Sequence, residues 1–495
     1  MAFQKKKPLA TENYRELDKK RWLVRYLILA AIAIVLGIKV YLLLYVIDFT
    51  VGFYSFLTSF VLFNLFFLSY VKYRDPYAAA RDIIIPEDQK PLVSIIVPVK
   101  NEEGNIRNCV QSCLNTTYPK KEVIIVNDGS TDGTTAILDQ MRREVGTASV
   151  LGIIHLSKSV GKKGAIEAGA QIAKGEIYVM MDSDCDLASD AVEKAVKIFY
   201  SDRRIGAITG HARVRNASTK TLLKIEDVWF DGQFRLIKGM ETSFSSLTCC
   251  SGALSIYRRE AVHEYIHAWA HDDFLGIENF KFATDRRLTA YVLGAKPEDV
   301  RKPSQKNSGQ GAEGAHVPIL QTGQDDLNAM RASSDPDDEA PKKTARLRYA
   351  WKLVYSPAVR VTAGVPETFP DLIRQQIRWR KSFIRSLTAT GGVYWRRPFY
   401  AALIYYLTLA LRLTRPFVAL KVLILLPFIY HDLVTTTLYL VSLFYTGMLY
   451  GIDVRLRNPG YPYWLYRPIM TFLSTFVLSW LIFYAAVTIK KESWR

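Results

Sequence analysis

The stretch LVSIIVPV, Leu92–Val99, opens a series of short apolar runs that alternate with helix-like segments. The series continues GNIRNCVQSCL, EVIIVND, TAILDQMRREV, GIIHL, KKGAIEAGAQIA and EIYVMMDSD, which ends at Asp184. Runs rich in Val and Ile are typical of buried strands, and the segments between them have helical spacing. The alternation predicts βαβ units, and therefore an α/β fold with a mainly parallel sheet covered by helices. Ligands of such sheets bind at the carboxyl ends of the strands.

Apolar segments flank this α/β region on both sides. The chain has 495 residues, of which 49% are hydrophobic, and this composition suits a large soluble domain joined to membrane helices. Each of the two N-terminal runs approaches the ~20 residues with which a helix crosses a bilayer. The apolar runs are Trp22–Ile47, Val51–Val71, Phe399–Leu411, Pro416–Tyr430, Leu433–Tyr450 and Ile469–Ile489.

The sequence predicts a multi-pass protein of the plasma membrane with a cytoplasmic catalytic domain. Its orientation follows from the Lys and Arg residues before Trp22, which we expect to stay in the cytoplasm. Residues 301–343 are rich in Ser, Gly, Gln, Asp and Pro, and we expect a flexible insertion there. The predicted parts are a cytoplasmic tail (1–21), two transmembrane helices (22–71), a cytoplasmic catalytic domain (72–374), amphipathic interface helices (375–398), three or four transmembrane helices (399–489) and a tail (490–495).

The charge of the chain bears on its partners. Lys and Arg number 65 against 47 Asp and Glu, for a net charge of +18, and such an excess raises nucleic acid as a partner. Much of the excess lies beside the apolar runs, where anionic lipid headgroups attract it. We therefore expect a lipid bilayer as partner and no nucleic acid. The five Cys include no CxxC pair, which favours reduced cytosolic thiols.

Carboxylates follow two of the predicted strands. In MMDSDCD, Met180–Asp186, an extended chain would point Asp182 and Asp184 in the same direction. Such a pair suits a hard divalent cation that also takes oxygens from a diphosphate, and the alternative is a solvated turn. In VNDGSTDGT, Asp128 stands where the chain leaves the sheet, and its alternative is a structural cap of the turn.

Two further segments offer charged groups near helix starts. SVGKKG, Ser159–Gly164, places Lys162 in a loop that suits phosphate, although it could equally be a surface helix terminus. In FATDRRLT, Thr284 caps a predicted helix with Asp285 in its first turn, where an acid is favourable in any case. As a catalytic group, the same carboxylate would deprotonate a hydroxyl.

QQIRWRKS, Gln375–Ser382, has an unusual helical face. Gln375, Arg378, Trp379 and Ser382 are spaced i, i+3, i+4 and i+7, so they share that face. A guanidinium group is a good donor to phosphate, and an indole ring can stack on a sugar. The face therefore favours a binding site over a plain membrane anchor.

NDGS, DSD, TDRRLT and QQIRW, in this order between apolar segments, resemble the signature of processive family 2 membrane glycosyltransferases, which include cellulose, chitin and hyaluronan synthases. The likeness is strongest to hyaluronan synthases, through GKKGA, CCSGALSIYRRE, FLGIENFKFATDRRLT and QQIRWRKSFIRS. It covers most of the chain from Val93 to Arg385. The resemblance implies a glycosyltransferase A fold, inverting transfer from a UDP-sugar, and a polymer that threads out between the membrane helices.

The resemblance also implies roles for individual residues. Asp285 matches the general base, and Asp184 matches the ligand of a Mg²⁺ or Mn²⁺ cofactor. The residues expected to bind the donor nucleotide are Asp128, Lys162, Asp182, Gln375, Arg378 and Trp379. Those expected to bind the acceptor are Cys250, Ser251, Gly252 and again Trp379. The implied partners are UDP-N-acetylglucosamine and the growing polysaccharide. Whether UDP-glucuronate serves as a second donor stays open on the sequence alone.

Several alternatives stay open on the sequence alone. Thr284 stands where hyaluronan synthases carry an acid, so the choice of donor is not fixed. A chitin or other polysaccharide synthase fits the same motifs, as does a non-processive transferase that adds one sugar to a lipid carrier. A protein of another class, a catalytically dead membrane scaffold or channel, would have no need of these carboxylates.

Overall fold

The computed structural model describes residues 17–146, 150–294 and 351–491. The predicted insertion at 301–343 lies outside these ranges, as do residues 1–16 and 492–495 of the two tails. The strands are β1 (Val93–Val99), β2 (Lys121–Asn127), β3 (Leu151–His155), β4 (Ile177–Met180), β5 (Cys185–Leu187), β6 (Ile205–Val214), β7 (Ser255–Arg258) and β8 (Lys352–Ala363). The helices up to β8 are α1 (Leu17–Tyr45), α2 (Phe49–Phe67), α3 (Pro76–Ala80), α4 (Ile106–Leu114), α5 (Thr134–Val145), α6 (Gly161–Ile172), α7 (Ala191–Ser201), α8 (Thr221–Gly232), α9 (Gly239–Thr242), α10 (Arg259–Val262), α11 (Ile266–Ala270) and α12 (Thr284–Gly294). Those after β8 are α13 (Phe369–Tyr394), α14 (Phe399–Leu420), α15 (Leu433–Arg457), α16 (Arg467–Phe476) and α17 (Leu481–Val487).

The strands form one sheet in the order β3-β2-β1-β4-β7-β6-β8-β5. The half from β3 to β4 is parallel, as the alternation of strands and helices predicts. In the other half, β7 is antiparallel to both β4 and β6, and β5 is antiparallel to β8. The α/β class is confirmed, with a parallel half and a mixed half.

The parallel half is buried on both faces because helices cover it. All seven residues of β1 are buried, which explains why its sequence is continuously apolar rather than alternating. Helix α6 approaches this sheet closely at Gly169, where a Cβ atom would lie 2.7 Å from Cγ2 of Ile96. This close approach fixes the position of α6, whose first turn carries Lys162.

The described part of the chain contains helices of transmembrane character. Four stretches are long and apolar enough to cross a membrane: Trp22–Tyr45, Phe49–Ala80, Leu433–Arg457 and Trp464–Val487. The two runs expected at Phe399–Leu411 and Pro416–Tyr430 are not separate helices, because α14 continues without a break into the helical turns Lys421–Ile429. Helices buried among others tolerate an internal proline such as Pro416, since wider turns and neighbours satisfy the freed backbone groups.

The predicted interface helices at 375–398 are one helix, α13, which begins earlier, at Phe369. Thr368 caps it by accepting a hydrogen bond from the N–H of Asp371. A proline in the first turn, Pro370, suits this start because the first N–H groups of a helix need no intrahelical partner.

A buried ionic cluster joins α8 to α15, one of the helices long and apolar enough to cross a membrane. Nη2 of Arg457 lies 2.5 Å from Oδ2 of Asp231 and 2.5 Å from Oδ2 of Asp453. The hydroxyl of Tyr70, just after α2, donates to Oδ1 of Asp453 at 2.8 Å. One guanidinium group therefore compensates two buried carboxylates that belong to different parts of the fold.

We expect Arg457→Ala to destabilise the protein by about 3–5 kcal/mol, because two buried carboxylates would lose their cation. The measurement is the thermal unfolding of the detergent-solubilised protein. Arg455→Ala is the matched control, since Arg455 lies on the same helix and is exposed. Equal melting temperatures for the two variants would contradict this assignment.

Candidate active site

Four of the residues singled out in the sequence meet at the carboxyl end of β4. Nζ of Lys162 forms a hydrogen-bonded ion pair with Asp182 and lies 3.8 Å from Oδ1 of Asp285. Oδ2 of Asp285 accepts a hydrogen bond from the N–H of Gly252 at 2.8 Å. The side chains of Asp182 and Asp285 remain 35% and 32% exposed, so both carboxylates are open to a ligand.

The close spacing of several carboxylates shifts the pKa values of the groups in this cluster. Burial acts to lower the pKa of Lys162, but the charges of Asp182 and Asp285 outweigh it and raise that pKa above its ordinary value. Burial, followed by the charge of Asp182, raises the pKa of Asp184 to about 6. The site therefore has an excess of negative charge, and a further cation would relieve it.

Asp182 and Asp184 lie in a turn between β4 and β5, not in the extended segment that the sequence suggested. The N–H of Cys185 donates to the backbone oxygen of Asp182 at 3.2 Å and closes this turn. The third carboxylate of the run, Asp186, instead pairs with Arg215 at 2.9 Å. The oxygen-rich pair at Asp182 and Asp184 fits the ligand preference of Mg²⁺ or Mn²⁺.

Helix α13 lies against this cluster with the face predicted from QQIRWRKS. The positive charge of Arg378 acts on Asp184 and Asp182, although burial lowers the pKa of this guanidinium group. Oγ of Ser382 accepts a hydrogen bond from the N–H of Ala283 at 2.9 Å, close to the start of α12. Oε1 of Gln375 is buried without a hydrogen-bond partner among the described residues, so it can accept one from a ligand.

An aromatic wall that the sequence analysis missed supports Trp379. Its ring centroid lies 5.7 Å from that of Trp229 and 6.2 Å from that of Phe230, both on α8. Trp379 keeps 39% of its surface exposed, which leaves ring surface available for stacking. The neighbouring aromatics Trp229 and Phe230 were the only signal in the sequence that could have pointed to this wall.

The structure gives Asp128 a different position from the other acids. This residue is buried, and its carboxylate accepts hydrogen bonds from Oγ of Ser159 at 2.8 Å, from the N–H of Val160 at 2.6 Å and from the N–H of Gly161 at 3.0 Å. Asp128 therefore holds the loop before α6, which is a structural role. Its contact with a nucleotide stays a prediction.

The segment expected to bind the acceptor, Cys250–Gly252, is held in place through its backbone N–H groups. The N–H of Cys250 donates to Oγ1 of Thr289 at 2.8 Å, and that of Ser251 donates to Oγ1 of Thr209 at 3.0 Å. Burial raises the pKa of the Cys250 thiol to about 12, and this side chain is fully buried. These residues lie just before β7, which begins at Ser255. Acceptor binding by this segment stays a prediction.

A group of arginines extends from the site toward α14, and the sequence patterns did not reveal it. Arg286 follows Asp285 on α12, Arg380 lies on α13, and Arg412 and Arg415 lie on α14. Burial, followed by the charges of Arg412, Arg415 and Arg286, lowers the pKa of Arg380 to about 10. Nε of Arg380 is buried and has no hydrogen-bond partner among the described residues. We call these four residues the arginine group.

Comparison with known proteins identifies the class. The family model described as "Glycosyl transferase family 2" matches residues 94–266. The chain is 26% identical over 414 residues to a hyaluronan synthase of Streptococcus pyogenes, covering 83% of each protein. It is 27% identical over 172 residues to a poly-beta-1,6-N-acetyl-D-glucosamine synthase of Staphylococcus epidermidis, covering 35% of this chain and 40% of that protein.

A solved structure, the mannosyltransferase PcManGT from Pyrobaculum calidifontis in complex with GDP-Man and Mn²⁺, aligns with 89% of this chain and 100% of its own, at 17% identity and a TM-score of 0.47. The sequence matches and the carboxylate site define the class: the chain is a glycosyltransferase with a family 2 domain and a glycosyltransferase A type of sheet. Within that class it is similar to polysaccharide synthases, hyaluronan synthase among them, and the resemblance carried by the four motifs is confirmed.

We expect Gly252→Ala to reduce sugar transfer by about 10²-fold, because displacing a reacting group by about 1 Å has an effect of this size. The added Cβ would lie 2.8 and 2.9 Å from the carboxylate oxygens of Asp285 and 3.0 Å from Nζ of Lys162. The measurement is the rate of nucleotide release by the purified protein. Gly104→Ala is the control, since a Cβ there meets nothing within 4 Å. A wild-type rate for Gly252→Ala would show that this contact has no bearing on transfer.

Proposed function

We propose that this chain is a metal-dependent, processive polysaccharide synthase that transfers sugars with inversion from UDP-sugars to a growing polymer and passes the polymer across the membrane. The observation that supports it most is the cluster of Lys162, Asp182, Asp285 and Gly252 beneath α13. The cluster combines a cation for a diphosphate with a carboxylate for a hydroxyl, within one partly open site.

The donor side of this proposal uses the turn after β4. Asp182 and Asp184 would hold Mg²⁺ or Mn²⁺, which neutralises the negative charge of the leaving UDP. Lys162 and Arg378 already place positive charge beside these two carboxylates, so they would contact the phosphate oxygens. Gln375 would donate or accept a hydrogen bond on the same side of α13.

The acceptor side uses Asp285. Its carboxylate would take the proton from the acceptor hydroxyl, a role that contributes roughly 10²–10⁴-fold to the rate. The hydrogen bonds from Gly252 and from Oγ1 of Thr284, at 2.8 and 3.0 Å, fix its orientation. The exposed ring surface of Trp379 would stack on the acceptor sugar.

The arginine group favours an anionic product. Burying a guanidinium group without a counter-charge is costly, and among the described residues the charges that act on buried Arg380 come from three other arginines. A polymer that contains uronic acid would supply the missing negative charges. This supports a hyaluronan-like polymer, made from UDP-N-acetylglucosamine and UDP-glucuronate, over an uncharged one.

We expect long polymer and sustained UDP release only when the detergent-purified protein receives UDP-N-acetylglucosamine together with UDP-glucuronate and Mg²⁺ or Mn²⁺. The measurement compares single and paired UDP-sugars by UDP release and product size. Asp285→Asn is expected to stop transfer while leaving donor binding in place.

Each other outcome of this assay favours one alternative. Long product from UDP-N-acetylglucosamine alone would indicate an uncharged polymer and remove the argument from the arginine group. Addition of a single sugar to lipid would indicate a non-processive transferase. The absence of UDP release with every common UDP-sugar would indicate a scaffold or channel.

In place of the three or four crossings that the sequence predicts after the catalytic domain, we also propose a membrane topology with two. Nζ of Lys421, in the turns after α14, pairs with Asp48 at 2.9 Å, and the N–H of Asp48 donates to Oγ1 of Thr435 at 3.1 Å. The α14–α15 connection therefore meets the α1–α2 connection at one end of the helices. Nζ of Lys381 on α13 donates to the backbone oxygen of Lys491 at 2.8 Å, so the chain after α17 lies on the side of the catalytic domain.

Under this topology we expect Tyr430→Cys, at the α14–α15 connection, to react with a membrane-impermeant maleimide in intact cells. Lys490→Cys should react only after the cells are permeabilised, because it lies with the basic C-terminal residues on the cytoplasmic side. The measurement is the labelled fraction of each variant. Labelling of Lys490→Cys in intact cells would instead support an odd number of crossings after the catalytic domain.

A further inference from the structure

A second polar cluster lies outside the sugar-transfer site, where α6 meets α11. Glu167 of α6, His267 of α11 and His271 just after it present three ligand atoms within 4.8 Å of one another. Oε1 of Glu167 lies 2.7 Å from Nδ1 of His267, and its Oε2 lies 3.1 Å from Nε2 of His271. The carboxylate is 7% exposed, whereas the two imidazoles are 81% and 47% exposed.

The contacts of His271 favour a cation in this cluster. Nδ1 of His271 lies 3.0 Å from Oδ1 of Asn279, an oxygen that only accepts hydrogen bonds, so this nitrogen carries the proton. In a neutral ring the lone pair of Nε2 then faces Oε2 of Glu167. Two acceptors at this distance repel each other unless a proton or a metal cation lies between them.

We propose that Glu167, His267 and His271 form a binding site for a transition-metal ion of the Zn²⁺ class. Two imidazole nitrogens and one carboxylate oxygen are ligands that Zn²⁺ accepts, whereas Mg²⁺ and Ca²⁺ prefer oxygen alone. Zn²⁺ bonds of about 2.1 Å in a tetrahedron place ligand atoms about 3.4 Å apart. The three ligand atoms now lie within 4.8 Å of one another, the two exposed imidazoles can rotate toward this spacing, and water would take the fourth position.

The position of the site suggests what a bound ion does. Glu167 lies on the same helix as Lys162, five residues further along. Nε1 of Trp269, between the two histidines, donates to the backbone oxygen of Thr284 at 2.9 Å. The ion would fasten α6 to the segment that contacts the start of α12, and so it would stabilise the arrangement of Lys162 and Asp285.

The test uses the full-length protein in detergent, purified with an affinity tag that contains no histidine. The protein is stripped with a chelator, reloaded with Zn²⁺ and desalted, and the retained metal is measured per chain. We expect about one retained ion in the wild type and a melting temperature raised by about 2–4 °C. The double variant His267→Ala/His271→Ala should lose both effects. Both imidazoles are exposed in the wild type, so we expect their removal to leave the fold intact.

Three further variants make the result specific. His431→Asn is the matched control for loss of a histidine: His431 has a φ of 52°, which asparagine tolerates, and full retention is expected. Asp184→Asn should also retain the ion, which separates this site from the Asp182–Asp184 pair. Asn279→Ala should weaken Zn²⁺ binding by about 10–100-fold, as loss of a group that orients a ligand does.

The proposal has clear negative outcomes. Absence of retained Zn²⁺ in the wild type would show that the cluster is held by hydrogen bonds alone. Equal retention in the wild type and the double histidine variant would place the ion elsewhere in the chain. Loss of retention in Asp184→Asn would assign the ion to the sugar-transfer site.

Discussion

The position of one ammonium group between carboxylates governs the rest of the site. Lys162 pairs with Asp182 and lies close to Asp285, so a single cation offsets negative charges that would otherwise repel one another. The cost of removing charged groups from water makes this compensation necessary. The same ammonium group is the natural contact for a diphosphate, and a bound donor would therefore compete with the carboxylates for it.

Several apparently structural contacts serve to place this ammonium group. Gly169 lets α6 approach the sheet, and Asp128 fixes the loop that leads into the helix. On the opposite side, Arg385 of α13 forms a buried pair with Asp272 at 2.9 Å, just after α11. This pairing directs Arg385 toward the segment after α11. Helix α6 and helix α13, which covers the site, are thus held by separate sets of buried polar contacts.

The sequence predicts those parts of the structure that depend on local patterns. The parallel half of the sheet and the presence of Asp182 and Asp184 at its edge follow from apolar runs that end in acids, and Asp285 lies in the first turn of a helix as its sequence predicts. The mixed half could not be foreseen, since β8 pairs with β6 across a long separation in sequence. The backbone contacts of Cys250 and Ser251 could not be predicted for a similar reason, because their partners, Thr289 and Thr209, are distant in sequence.

Neighbouring residues of α12 belong to two separate groups of charged side chains. Asp285 faces Lys162 and Gly252, whereas the charge of the next residue, Arg286, acts on Arg380. Successive residues of a helix point about 100° apart, so one short helix can present a base to the acceptor hydroxyl and a cation to the rest of the polymer. On the proposed function, each sugar added at Asp285 would move the chain toward the arginine group. The coupling of sugar transfer to polymer export would then depend on the position of α12. A hydrogen bond from the N–H of Ala283, just before α12, to Oγ of Ser382 holds this helix to α13.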